Sequence, residues 1–103
     1  MTYIEFTAVG YSEEYTRFPF CGGDLAIRLS QLFKCGVNEV DSGYVVWFDR
    51  HYMLLGKDNR PHRWFLKIEQ MAIFKEAVNK QTLREIVEIL STEKTISGII
   101  IGD

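Results

Sequence analysis

The chain has 103 residues, of which 47% are hydrophobic, 25% charged and 14% aromatic, with a formal net charge of −2. Those proportions fit one soluble globular domain and leave no room for a second core. Apolar runs such as 44–48 and 99–101 fall far short of the ~20 residues that span a bilayer, so no membrane partner is expected. The opening Met1-Thr2-Tyr3-Ile4-Glu5 lacks the basic and apolar regions of a secretory leader. A cytoplasmic protein is therefore predicted, with its two cysteines, Cys21 and Cys35, reduced.

Residues 2–9 are rich in β-branched and aromatic side chains and alternate at Ile4, Phe6 and Ala8, which predicts a first strand. Residues 11–23 read as a loop with room for an edge strand inside it, in which Pro19 holds Phe18 extended. Leu25, Leu29, Leu32 and Phe33 share one helical face. Asp24 stands at its start, and Gly36 is placed to end it in a left-handed conformation. The stretches 44–48, 52–55 and 63–68 are short apolar runs, and Gly56-Lys57-Asp58-Asn59 is a turn signal between the last two. Short connections permit antiparallel pairing but not parallel crossover, so a meander is predicted, with a shorter hairpin ahead of it at Asp41-Ser42-Gly43.

Residues 69–79 fit both periods, and the spacing of Met71, Phe74 and Val78 favours a helix. Thr82 and Glu85 then form a capping box for a helix whose buried stripe is Leu83, Ile86, Val87 and Leu90, ending near Ser91. Residues 95–101 read as a terminal strand, apolar enough to expect cover on both faces. The predicted fold is a single α+β domain over residues 1–103: a mostly antiparallel sheet of four to six strands with two or three helices on one face.

Charge is unevenly distributed. Residues 1–49 carry three basic and seven acidic side chains, residues 50–67 five basic and one acidic, and residues 68–103 four basic and six acidic. Arg50, Lys57, Arg60, Arg63 and Lys67 thus form a positive stretch between acidic flanks, with Tyr52 and Trp64 among them. Cations meet phosphates and rings stack on bases, the combination found in single-stranded nucleic-acid grooves. An acidic patch on a protein would be met by the same residues, since Arg, Tyr and Trp are frequent anchors. The negative remainder of the chain repels a long polyanion and favours the protein partner. Glu13, Glu14, Asp24, Glu39, Asp41, Glu76, Glu85 and Glu88 read as a solvated surface, or else as a face toward a basic partner.

Other constellations are weaker. Cys21, Cys35, His51 and His62 could in principle hold zinc, but 13 residues separate the cysteines and 10 the histidines, unlike the close pairs of structural sites. Cys21 precedes Gly22-Gly23 and a helix start, where a thiolate is favoured, yet its only bases would be His51 and His62. A plain packing role for Phe18, Phe20 and Cys21 explains the same residues. Gly22-Gly23 lacks the lysine and hydroxyl residue of a phosphate loop. Asp49 and His51 would share a face in extended structure, as a carboxylate orienting an imidazole, and would equally make an ordinary polar hairpin tip.

The sequence thus points to a small non-enzymatic protein-binding module that inhibits or bridges a macromolecular partner, as inhibitors, immunity proteins and bacterial or phage antagonists do. The expected contacts are Arg50, Tyr52, Lys57, Arg60, Arg63 and Trp64, and no cofactor is implied. The alternatives are a nucleic-acid-binding domain using the hairpin 50–67 and a small enzyme using Cys21 or His51. Should the terminal strand lie at a sheet edge, strand addition across a two-fold axis would make a homodimer.

Overall fold

Alternation along the sequence builds a six-stranded antiparallel sheet in the computed structural model, which describes residues 2–13, 23–41, 43–69 and 78–102. The elements are β1 (Thr2–Ala8), α1 (Gly23–Phe33), β2 (Val37–Val40), β3 (Gly43–Phe48), β4 (His51–Lys57), β5 (Arg63–Glu69), α2 (Lys80–Ser91) and β6 (Ile96–Gly102). In space the strands follow the order β2-β3-β4-β5-β1-β6. Strands β2 to β5 form the expected meander, with Asp49 and Arg50 alone joining β3 to β4. β1 inserts between β5 and β6 and pairs antiparallel with both, so Ile4 faces Leu66 on one side and Ile101 on the other. β5 and β6 consequently run parallel with β1 between them. Strands so related need a long crossover, and the segment containing α2 supplies it.

One face of the sheet is covered. Ile4, Phe6, Ala8, Val46, Met53, Leu55, Trp64, Leu66 and Ile68 recur with the two-residue period of strands and are buried together. They share a single core with Leu25, Ala26, Leu29 and Phe33 of α1 and with Ile86 and Leu90 of α2. The result is a single α+β domain with two helices among the described residues, neither long and apolar enough to cross a membrane.

Several local expectations are corrected. The left-handed residue that ends α1 is Lys34, at φ 55°, rather than Gly36. The Cys35 N–H reaches the Ser30 carbonyl at 3.1 Å, the 6→1 bond of a Schellman cap, so the chain has turned before Gly36 is reached. α2 is capped by Asn79, whose side chain accepts the Thr82 N–H at 2.8 Å; Thr82 is therefore inside the first turn and not the cap. Gly56 is a strand residue, because β4 continues to Lys57 and the turn beyond it is closed by the Asp58 N–H on the Arg63 carbonyl at 2.9 Å. β6 is not covered on both faces. It is the last strand of the sheet, with Ile100 and Ile101 exposed by 54% and 48%. Most of the 11–23 loop, with the edge strand allowed inside it, and most of the expected helix at 69–79 lie outside the described residues.

Candidate functional site

The residues expected to form a positive, ring-bearing tip are divided by the sheet. Along β5 the strand period sends Trp64, Leu66 and Ile68 to the covered face and Arg63, Phe65 and Lys67 to the other. Trp64 is fully buried, so its indole is core rather than contact. Lys57 is opposite Trp64 in register and shares its side, with the ammonium 5.5 Å from the Trp64 ring centroid and 3.1 Å from Glu13. Arg60 and Arg63 converge instead on Glu5, from the open side. These cations are therefore split between two sides and matched by carboxylates of their own chain, which corrects the expectation of one free positive patch. Arg50 is exposed in the two-residue β3–β4 turn, where Asp49 takes a left-handed φ of 54°. Tyr52 is on the open face.

Arg63 organises one end of that face. Its Nε donates to Glu5 at 3.0 Å, and its Nη1 donates to the Thr7 hydroxyl at 2.9 Å and the Gly98 carbonyl at 2.8 Å, so one guanidinium ties β5 to β1 and β6. A charge held this far from water needs such a full set of acceptors. Gly98, at φ +59°, sits where β6 gains one residue relative to β1, and a Cβ there would lie 2.9 Å from Nη1. Both the positive φ and the approach of the guanidinium require glycine. Arg60, 62% exposed, bridges Glu5 and Asp58 from the β4–β5 turn.

Beside this network lies a trench of about 350 Å³ lined by Tyr3, Glu5, Asp58, Phe65 and Lys67. Its shape follows from two glycines. Phe65 leans across β4, where a Cβ on Gly56 would come within 2.2 Å of the ring. Tyr3 leans the opposite way across β6, where a Cβ on Gly102 would come within 2.3 Å of its ring. Because β5 and β1 lie between those glycines, the two rings splay apart and leave a groove between them, with Glu5 opposite Phe65 and Lys67 opposite Tyr3. Lys67 is paired with Glu69 at 3.4 Å. Farther along the face, Trp47 meets Tyr52 edge-on at 5.4 Å between centroids and donates its indole N–H to Asn38 at 2.9 Å. No described helix packs on this side, where Tyr3, Trp47, Tyr52 and Phe65 stand among balanced charges and Val45 is fully buried. Such surfaces suit a partner that brings apolar groups and charges of both signs.

The residues considered for chemistry are differently placed. His51 is buried on the covered face opposite Phe48, with no hydrogen-bond partner for Nδ1. The alternation that would align Asp49 with it ends at the turn. His62 is exposed in the β4–β5 turn, where Glu13 accepts its backbone N–H. Cys21 lies outside the described residues; Cys35 is free and half-buried, and burial pushes its thiol above the ordinary range. Sequence reasoning missed Tyr3, Trp47 and Phe65, since each sits in an apolar run that reads as core throughout. The available signal was glycine inside a strand, which marks a place where a neighbouring ring can lie over the backbone.

Comparison with known proteins finds no matching family model, no similar curated protein and no similar solved structure.

Proposed function

We propose that this chain is a small non-enzymatic protein-binding module of the cytoplasm that inhibits or bridges another protein, and that it does so with the open face of its sheet. The observation that carries this reading is the company of Tyr3, Trp47, Tyr52 and Phe65 on the side away from both described helices. Of the contacts expected from sequence, Tyr52 and the exposed Arg60 belong to this surface; Trp64 and Lys57 do not. Rings of this kind bury large area at little entropic cost, and a central aromatic cluster with a charged rim is the usual anatomy of a protein contact. A nucleic-acid partner is less well served, because Lys57, Arg60, Arg63 and Lys67 each have a carboxylate of this chain within 4 Å. An enzymatic role for His51 is poorly served by a buried ring.

The test is co-purification with the full chain and two variants. Tyr3→Ser/Tyr52→Ser alters the open face, and Arg84→Ser alters the exposed side of α2. A protein retained by the wild type and by Arg84→Ser, yet lost from the double variant, supports the reading. Retention by the double variant overturns it, as does binding of single-stranded oligonucleotides that weakens steeply with salt.

A further inference from the structure

The two edges of the sheet differ in a way that bears on assembly. β2 closes one edge with four residues, of which Asn38 and Glu39 are exposed, and a short edge strand carrying charge resists pairing with another chain. β6 closes the other with seven residues, Ile96-Ser97-Gly98-Ile99-Ile100-Ile101-Gly102, that contain no charge and no proline. Among the described residues its only strand partner is β1. Its single irregularity, at Gly98, lies near its start and leaves the run 99–102 regular. Ile100 shares the open face with Glu5 and Ile101 the covered face with Ile4, and both are about half exposed. Among the described residues, apolar side chains thus stand on both sides of an edge that no further strand pairs.

We infer that β6 pairs antiparallel with β6 of a second copy of this chain, about a two-fold axis normal to the sheet. A second copy is the occupant that this edge fits best. Uncharged isoleucines placed opposite one another meet no like charge, whereas nothing along β6 supplies the charge or pocket that would select a foreign strand. Antiparallel edge pairing about such an axis keeps the helices of both copies on the same side. The joined sheet then has twelve strands, twice the six of one copy, and its two open faces form one continuous surface. On the covered side α2, which packs on β6, is brought beside its mate. The inference is independent of the proposed function, since the trench between Tyr3 and Phe65 remains open in the pair.

Sedimentation equilibrium of the full chain over a range of concentrations is the experiment. The wild type should reach twice the 12.0 kDa chain mass. Ile100→Lys/Ile101→Lys should weaken self-association by about 100-fold, because it sets ammonium groups against one another, while the circular dichroism spectrum stays native. A wild type that remains monomeric throughout overturns the inference, and so does a folded lysine variant that dimerises as well as the wild type. Should the lysine variant fail to fold, amide exchange of the wild type decides. Protection at Ile99, Ile100 and Ile101 that rises with protein concentration supports β6 pairing, and protection independent of concentration refutes it.

Discussion

Phe65 lies across Gly56 so closely that a methyl group at that position would sit 2.2 Å from the ring. The contact is between neighbouring strands on the open face, and it leaves one solution for each partner: no side chain on β4, and a flat ring on β5. Gly56→Ala should therefore destabilise the domain by about 1–3 kcal/mol through overpacking, despite alanine's better strand propensity. In the background of Phe65→Leu the same substitution should cost markedly less, giving a coupling of about 1 kcal/mol in a urea-denaturation double-mutant cycle. Additive effects would show that the ring does not depend on the missing Cβ.

The two tryptophans separate core from surface. Trp64→Ala should cost about 3–5 kcal/mol, since it empties a fully buried site. Trp47→Ala removes a half-buried ring from the open face and should cost far less, while diminishing partner binding. Chemical denaturation of both variants checks the ranking, and equal losses would contradict the placing of the two rings on opposite faces of the sheet.

The Glu5–Arg63 pair gives a third test. Glu5→Gln leaves the Arg63 guanidinium with the Thr7 hydroxyl and the Gly98 carbonyl but no charge opposite it. The expected loss is on the order of 3 kcal/mol, as for breaking one side of a poorly solvated pair. A change below about 0.5 kcal/mol would show that solvent already screens the interaction.

Lys34 predicts a gain. It occupies the left-handed position that closes α1, where a Cβ is unfavourable, so Lys34→Gly should raise stability by about 0.5–1 kcal/mol. Gly36→Ala should be nearly neutral, with no positive φ and no neighbour within 4 Å of an added Cβ. Thermal melts of the two variants distinguish the caps directly.

Acid should weaken the fold through Glu93 and Glu13. Hydrogen bonds from Arg28 hold the Glu93 carboxyl below its ordinary range. Burial pushes Glu13 upward, but the His62 N–H and Lys57 outweigh it and the net displacement is downward. A carboxylate whose folded pKa is depressed contributes stability that is present above its unfolded value and lost as pH falls through the folded one. The urea midpoint should accordingly drop as the pH falls below the ordinary carboxylate range, and Glu93→Gln should flatten part of that drop. An unaltered acid limb in this variant would remove Glu93 from the account.

Much of the fold was legible because it rests on periodicity. Ile4, Phe6 and Ala8, the meander runs, and the stripes Leu25–Leu29–Phe33 and Ile86–Leu90 all bury the side that their spacing assigns. The ends of elements were harder to read. Asn79 and Lys34 took capping positions that Thr82 and Gly36 would have filled by residue preference alone, because the helices began and ended a few residues from the strongest local signals. The open face was harder still. Arg63 and Trp64 are adjacent in sequence but stand on opposite sides of the sheet, and charge counted along the chain does not reveal that Glu5, from the first strand, neutralises the turn near residue 60.

The hydrogen bond from Arg63 to Gly98 also sets where the domain can fray. It pins the beginning of β6 to the interior strand β5, while among the described residues the stretch toward Gly102 pairs in its own sheet with β1 alone. Thermal peeling of the last strand must therefore start from its Gly102 end and stall at the guanidinium clasp, which divides one ribbon into a loose half and a fastened half.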